Sequence, residues 1–167
     1  MAKTKILDHT QISRKLNRMA YEVYEKNYGE KEILLVGIEG NGYKVAQRLQ
    51  EILTKISSIK VKLSKIKLDK NQPWTAEPKV DFSEKDYANK PVIIVDDVLN
   101  SGKTVMYAVK PFLNSSVKRL NVLVLVDRSH TRYPVKADFV GMSLSTTLQE
   151  HIEADFSKKG NEGVYLI

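Results

Sequence analysis

The stretch VIIVDDVLNSGKT, Val92–Thr104, passes from a β-branched apolar run straight into two adjacent carboxylates and then into a short polar turn around Gly102. A continuous apolar run suits a strand buried on both faces of a parallel sheet, and open α/β sheets bind ligands at the carboxyl ends of such strands. The next residues open a helix. Backbone N–H groups around Ser101, Gly102 and Lys103 are therefore unpaired and favour a phosphate, with the Ser101 and Thr104 hydroxyls as further donors. Gly102 lets the backbone close on the anion. Asp96 and Asp97 only accept hydrogen bonds; they repel a phosphate but suit hydroxyl groups or Mg²⁺. The two halves together imply a ligand with vicinal sugar hydroxyls and a terminal phosphate.

The flanking sequence repeats the strand, loop, helix order. ILLVGI, Ile33–Ile38, is a second buried-strand run, after which Val45, Leu49, Ile52, Leu53 and Ile56 take up helical spacing. Upstream, Ile12, Leu16, Met19, Ala20, Val23 and Asn27 predict a first helix that Gly29 stops. IKVKL (Ile59–Leu63) and VLVLV (Val122–Val126) add strands, and Val105, Ala108, Val109 and Phe112 predict a helix that kinks or ends at Pro111. The order predicts an α/β fold with a mostly parallel central sheet. Asp69–Lys90 is long, polar and proline-containing, which predicts a mobile functional loop.

A length of 167 residues with 42% apolar and 28% charged residues predicts one folded domain over residues 1–167. Cysteine is absent, which excludes disulfides, thiolate metal sites and a cysteine nucleophile, and His9, His130 and His151 are too scattered for a metal cluster. No apolar run approaches the roughly 18 residues of a membrane span, and the first residues lack a signal-peptide core, so a cytoplasmic protein with no membrane partner is expected. The net charge of +7 favours an anionic partner, a phosphorylated small molecule or nucleic acid. Much of the excess lies in Lys55–Lys70, where lysines alternate with apolar residues, the pattern of a solvated strand face more than a nucleic-acid stripe.

Two rival motifs fail on spacing. Ser101–Thr104 matches the end of a P-loop, but the glycine that motif needs at position 97 is an aspartate. Gly40–Val45 approaches a dinucleotide fingerprint, yet it ends in valine and no acidic residue stands about twenty positions on.

VIIVDDVLNSGKT resembles the phosphoribosyl diphosphate signature of type I phosphoribosyltransferases. GIEGNGYKVAQRL is similar to that family's pyrophosphate loop, and LVDRSHTRYPVKADFVGMSLSTT to a segment of the bifunctional uracil phosphoribosyltransferase and pyrimidine-operon attenuation proteins. Carried over residue by residue, the resemblance implies that Asp96 and Asp97 are the catalytic pair, binding ribose and, directly or through water, Mg²⁺. Asn100, Ser101, Gly102, Lys103 and Thr104 would bind the 5′-phosphate, and Glu39, Gly40, Asn41 and Gly42 would face pyrophosphate. Asp69–Lys90 corresponds to the flexible lid, with Lys70, Trp74 and Lys79 closing on the ligand. A hood over about residues 128–150 would cover the base, with Val98, Arg128 and His130 beside it. The implied reaction is Mg²⁺-dependent transfer of ribose 5-phosphate from phosphoribosyl diphosphate to a nucleobase, with no covalent nucleophile, by a homodimer or higher homo-oligomer.

Departures from the pattern shape the expectation. The pyrophosphate loop often carries an arginine where this chain has Asn41, so one charge contact to the leaving group is missing and weak catalysis is expected. At Asn100 the attenuation proteins often have an aromatic residue and the hypoxanthine-guanine enzymes an aspartate; asparagine cannot act as that base. Uracil is the expected acceptor. A purine enzyme and a nucleotide- or RNA-binding regulator with weak catalysis are the alternatives. RNA is the weaker partner: where the attenuation proteins resemble T-R-x-x-H, Asn17–Tyr21 keeps only Arg18, and Thr131 replaces a usual arginine, although Lys136 keeps a positive charge.

Overall fold

In β2 (Glu32–Ile38), β5 (Pro91–Leu99) and β6 (Arg119–Asp127), successive apolar side chains part to opposite faces, and two cores form. Ile33, Leu35, Ile93, Val95, Leu123 and Leu125 turn to one side, where α1 (His9–Lys26) and α2 (Asn41–Ile56) cover them. Leu34, Val36, Val92, Ile94, Val122 and Val124 turn to the other, under Val105, Ala108, Phe112 and Tyr87. Burial on both faces is why these strands read as unbroken apolar runs.

The computed structural model describes residues 3–167. Its main sheet has the order β4–β3–β2–β5–β6–β7, where β3 is Lys60–Lys67, β4 Lys79–Val80 and β7 Phe139–Ser143. All neighbours are parallel except β3 and β4. The mostly parallel sheet read from the sequence is therefore the observed one, with β5 at an inner position that puts Asp96 and Asp97 at its carboxyl end.

Helix ends follow local polar chemistry. α1 begins at His9 because Asp8 and Gln11 form a reciprocal capping box, and it ends before Asn27, whose buried side chain donates to the Val23 carbonyl and accepts from Arg119. The helix expected to kink or end at Pro111 does end near it: α4 covers Lys103–Ala108, and the chain continues as a 3₁₀ turn, Lys110–Asn114. Pro111 has no N–H to extend the helix. The β3 lysines behave as a solvated, partly neutralised edge. Lys60, Lys62 and Lys90 lie 3.5, 3.7 and 2.5 Å from the Glu32 carboxylate, which the Lys90 hydrogen bond holds below its ordinary range against the opposing effect of burial.

Two expectations for the flanking segments need correction. Asp69–Lys90 is not one free loop: β4 joins its middle to the sheet, α3 (Glu84–Tyr87) carries a Ser83–Asp86 capping box, and Tyr87 is buried with its ring 5.0 Å from that of Phe112. Residues 128–150, expected as the hood, supply β7 to the main sheet. A second, antiparallel sheet of order β1–β9–β8 joins the two ends of the chain: β1 (Thr4–Leu7), β9 (Gly163–Leu166) and β8 (Ile152–Asp155). Ile152, Ala154 and Val164 insert into the α1–α2 core.

Candidate active site

The carboxylates at the end of β5 are not equivalent. Asp96 is only 4% exposed, whereas Asp97 is half-buried. Burial, reinforced by the neighbouring Asp97 charge and opposed by Lys70, pushes the Asp96 carboxyl well above its ordinary range. Asp96 Oδ1 accepts the Asp97 N–H at 2.9 Å, and Asp97 Oδ1 accepts the Val98 N–H at 2.9 Å. Asp97 Oδ2 accepts from Asn41 Nδ2 at 3.0 Å.

The first turn of α2 reaches the strand end because two glycines permit it. Gly40 has φ +98°, and a Cβ on Gly42 would lie 2.8 Å from the Val95 carbonyl and 2.9 Å from Asp96 Oδ1. Glu39 is exposed, 3.9 Å from Lys67. The Asn41 side chain turns to Asp97 and to the Ala154 carbonyl of β8, at 2.8 Å, not to the open loop.

After Leu99 the chain bends through Asn100 and Ser101 and starts α4 from Gly102 at φ +81°. The bend encloses a cup of about 50 Å³ lined by Asp96 and by Val98–Val105. Its backbone is buttressed from behind: the Ser101 carbonyl accepts from the Arg132 and Tyr133 N–H groups at 2.8 and 3.1 Å. Asn100 is exposed, and Ser101 and Thr104 are half-buried.

Several side chains predicted to touch a ligand have partners within the protein. Lys103 Nζ donates to the Asn71 carbonyl at 3.1 Å and stands 5.7 Å from the Trp74 ring centre, so this cup residue also ties down the Asn71–Trp74 segment. Lys70, in the segment expected as the lid, is exposed and close enough to act on Asp96. Lys79 lies on β4, three strands from β5 and roughly 14 Å away across the sheet. Arg128 is buried, and its guanidinium donates to Thr146 Oγ1 at 2.5 Å and to the Thr147 and Glu150 carbonyls at 2.9 and 2.5 Å. It braces the loop before β8, and His130 Nε2 meets the Thr146 carbonyl of that loop at 2.6 Å. Val98 is a core residue of the α1–α2 side. The roles of Asn71 and Ala154 escaped the sequence reading because both act through backbone carbonyls.

The sequence pattern of the phosphoribosyl transferase domain matches residues 2–157. The chain belongs to that family. Among curated relatives, Bifunctional protein PyrR of Clostridium acetobutylicum is 37% identical over 160 residues, covering 92% of this chain and 90% of its own. The protein of the same name from Ligilactobacillus salivarius is 34% identical over 176 residues, covering 99% and 98%. The fold is shared with a hypoxanthine-guanine phosphoribosyltransferase of Bacillus anthracis, at a TM-score of 0.76 and 17% identity over 98% of this chain and 97% of that one. It is also shared with the hypoxanthine phosphoribosyltransferase of Trypanosoma cruzi, at 0.78 and 13% over 98% and 90%. The protein is a phosphoribosyltransferase, and the resemblance carried by Val92–Thr104 stands.

Proposed function

We propose that the chain transfers ribose 5-phosphate from phosphoribosyl diphosphate to uracil, releasing pyrophosphate. The observation that carries this reading is the acidic pair at the end of β5 beside the Gly102 cup, in a chain related over nearly its whole length to Bifunctional protein PyrR. Backbone N–H groups of the cup take the 5′-phosphate, and Asp96 and Asp97 accept from the ribose hydroxyls. The backbone of Gly40–Gly42 faces the leaving pyrophosphate. The lid residues Lys70 and Trp74 cover the donor and keep water from the sugar carbon as its bond to pyrophosphate breaks and the bond to the base nitrogen forms. No side-chain nucleophile takes part.

Mg²⁺ fits this site as a partner of the substrate. Asp96 and Asp97 are hard oxygen donors, and among the described residues no group of three or more His, Cys, Asp or Glu can hold a metal alone. The two carboxylates would hold the ion together with donor oxygens and water, the arrangement Mg²⁺ prefers. When bound it supplies positive charge for the departing pyrophosphate.

Arg18 disfavours the RNA-regulator alternative, because its guanidinium is occupied by Glu22 at 2.7 Å and by the Val140 and Gly141 carbonyls at 3.1 and 2.7 Å. The test is a panel of bases incubated with phosphoribosyl diphosphate and Mg²⁺, with detection of the nucleoside monophosphate. Uracil is expected to react fastest. Faster turnover of hypoxanthine reverses the choice of base, and no product with any base, alongside tight uridine nucleotide binding, favours the regulator.

A further inference from the structure

We infer that Asn41 is a positioning residue that ties Asp97 to the terminal sheet, so that the ribose-facing carboxylate is held in place only while β8 is docked. This rests on the donor site proposed above. Asn41 Nδ2 lies 3.0 Å from Asp97 Oδ2 and 2.8 Å from the Ala154 carbonyl. Both partners are acceptors, so the amide must present its NH₂ and spend one hydrogen on each. The carboxylate's other oxygen is occupied by the Val98 N–H at 2.9 Å, which with the Asn41 bond fixes its plane. Asp97 therefore enters ligand binding with its orientation set by α2, β5 and β8, three elements far apart in the chain.

Lys44 supplies the contrast. One turn along α2, its Nζ donates to the Phe156 carbonyl at 3.1 Å, a second tie to the segment after β8 that gives Asp97 no bond. If Asn41 acts through Asp97, the two ties differ in their effect on the donor.

The test compares wild type, Asn41→Ala, Asn41→Asp and Lys44→Ala, each confirmed folded by circular dichroism. Calorimetric titration with phosphoribosyl diphosphate and Mg²⁺ is paired with the KM for uracil. Asn41→Ala should weaken donor binding about tenfold, the value of one hydrogen bond to a charged group, with uracil KM nearly unchanged. Asn41→Asp, the same shape without a donor and with a charge that repels Asp97, should be worse than alanine. Lys44→Ala should stay within about twofold of wild type, since it removes no bond to the donor site. Donor affinity unchanged in Asn41→Ala, a milder effect of aspartate than of alanine, or an equal loss in Lys44→Ala would overturn the inference. If wild type binds no donor, the proposed function fails, and hydrogen exchange in Ile152–Asp155 decides the tie. Asp97→Asn should alter protection there with Asn41 present and not with Ala at position 41; the same response in both backgrounds removes the tie.

Discussion

Asp96→Asn should raise the stability of the ligand-free protein at neutral and alkaline pH while abolishing donor binding. Asp96 is 4% exposed, and its carboxyl is pushed up first by burial and then by the Asp97 charge. A carboxyl whose folded-state value lies above its unfolded value favours folding when protonated. That contribution is complete below the unfolded value, near 4, and is lost as pH rises through the elevated folded value. Asparagine has nearly the same shape as the protonated acid and keeps the oxygen that accepts the Asp97 N–H. It never ionises. Removing an under-compensated buried charge returns on the order of 1–3 kcal/mol, about 3–10 °C in Tm for a domain of this size. Carboxylates held low, such as Glu30 and Glu32, lose stability as pH falls, but they are common to both proteins and cancel in the difference. Thermal melts at pH 5 and pH 8 without Mg²⁺ should show a gap in favour of the variant that widens at pH 8. A variant less stable than wild type at pH 8, or a gap that widens toward acid, would refute the argument.

Gly42→Ala places a methyl group 2.8 Å from the Val95 carbonyl and 2.9 Å from Asp96 Oδ1, so about 1–3 kcal/mol of stability should be lost, read as a lower denaturation midpoint. Lys103→Met removes the bond to Asn71 and the cation over Trp74; as Trp74 is the sole tryptophan and already 61% exposed, iodide quenching of its fluorescence should increase. Arg128→Lys cannot replace a guanidinium bonded to Thr146, Thr147 and Glu150, and faster hydrogen exchange over residues 144–150 with a loss of about 1–3 kcal/mol is expected.

The parallel sheet was legible because its strands are buried on both faces, so Ile33–Ile38, Val92–Val95 and Val122–Val126 announce themselves without their partners. The cup was legible for a local reason: Gly102, a run of donors and a helix start lie within a few residues of one another. The terminal sheet was not, because β1 and β8 are short and β1 pairs with a strand at the other end of the chain, which no local periodicity reports. The intramolecular bonds of Arg128 and Lys103 were not legible, for a shared cause. Each is a cation near the carboxyl end of a central strand, and its long side chain reaches backbone carbonyls whose positions depend on the folding of distant loops.

The pairing of Thr4 with Leu166 has a consequence for synthesis. A ribosome delivers β1 long before its partner strand β9, so the earlier strand waits with its hydrogen-bonding edge unmatched while the intervening chain emerges. Ala154, the second anchor of Asn41, also arrives late. The β5 carboxylates are thus made well before the part that orients one of them, and a nascent chain halted before β8 carries the proposed donor site with its side chains present and its geometry unset.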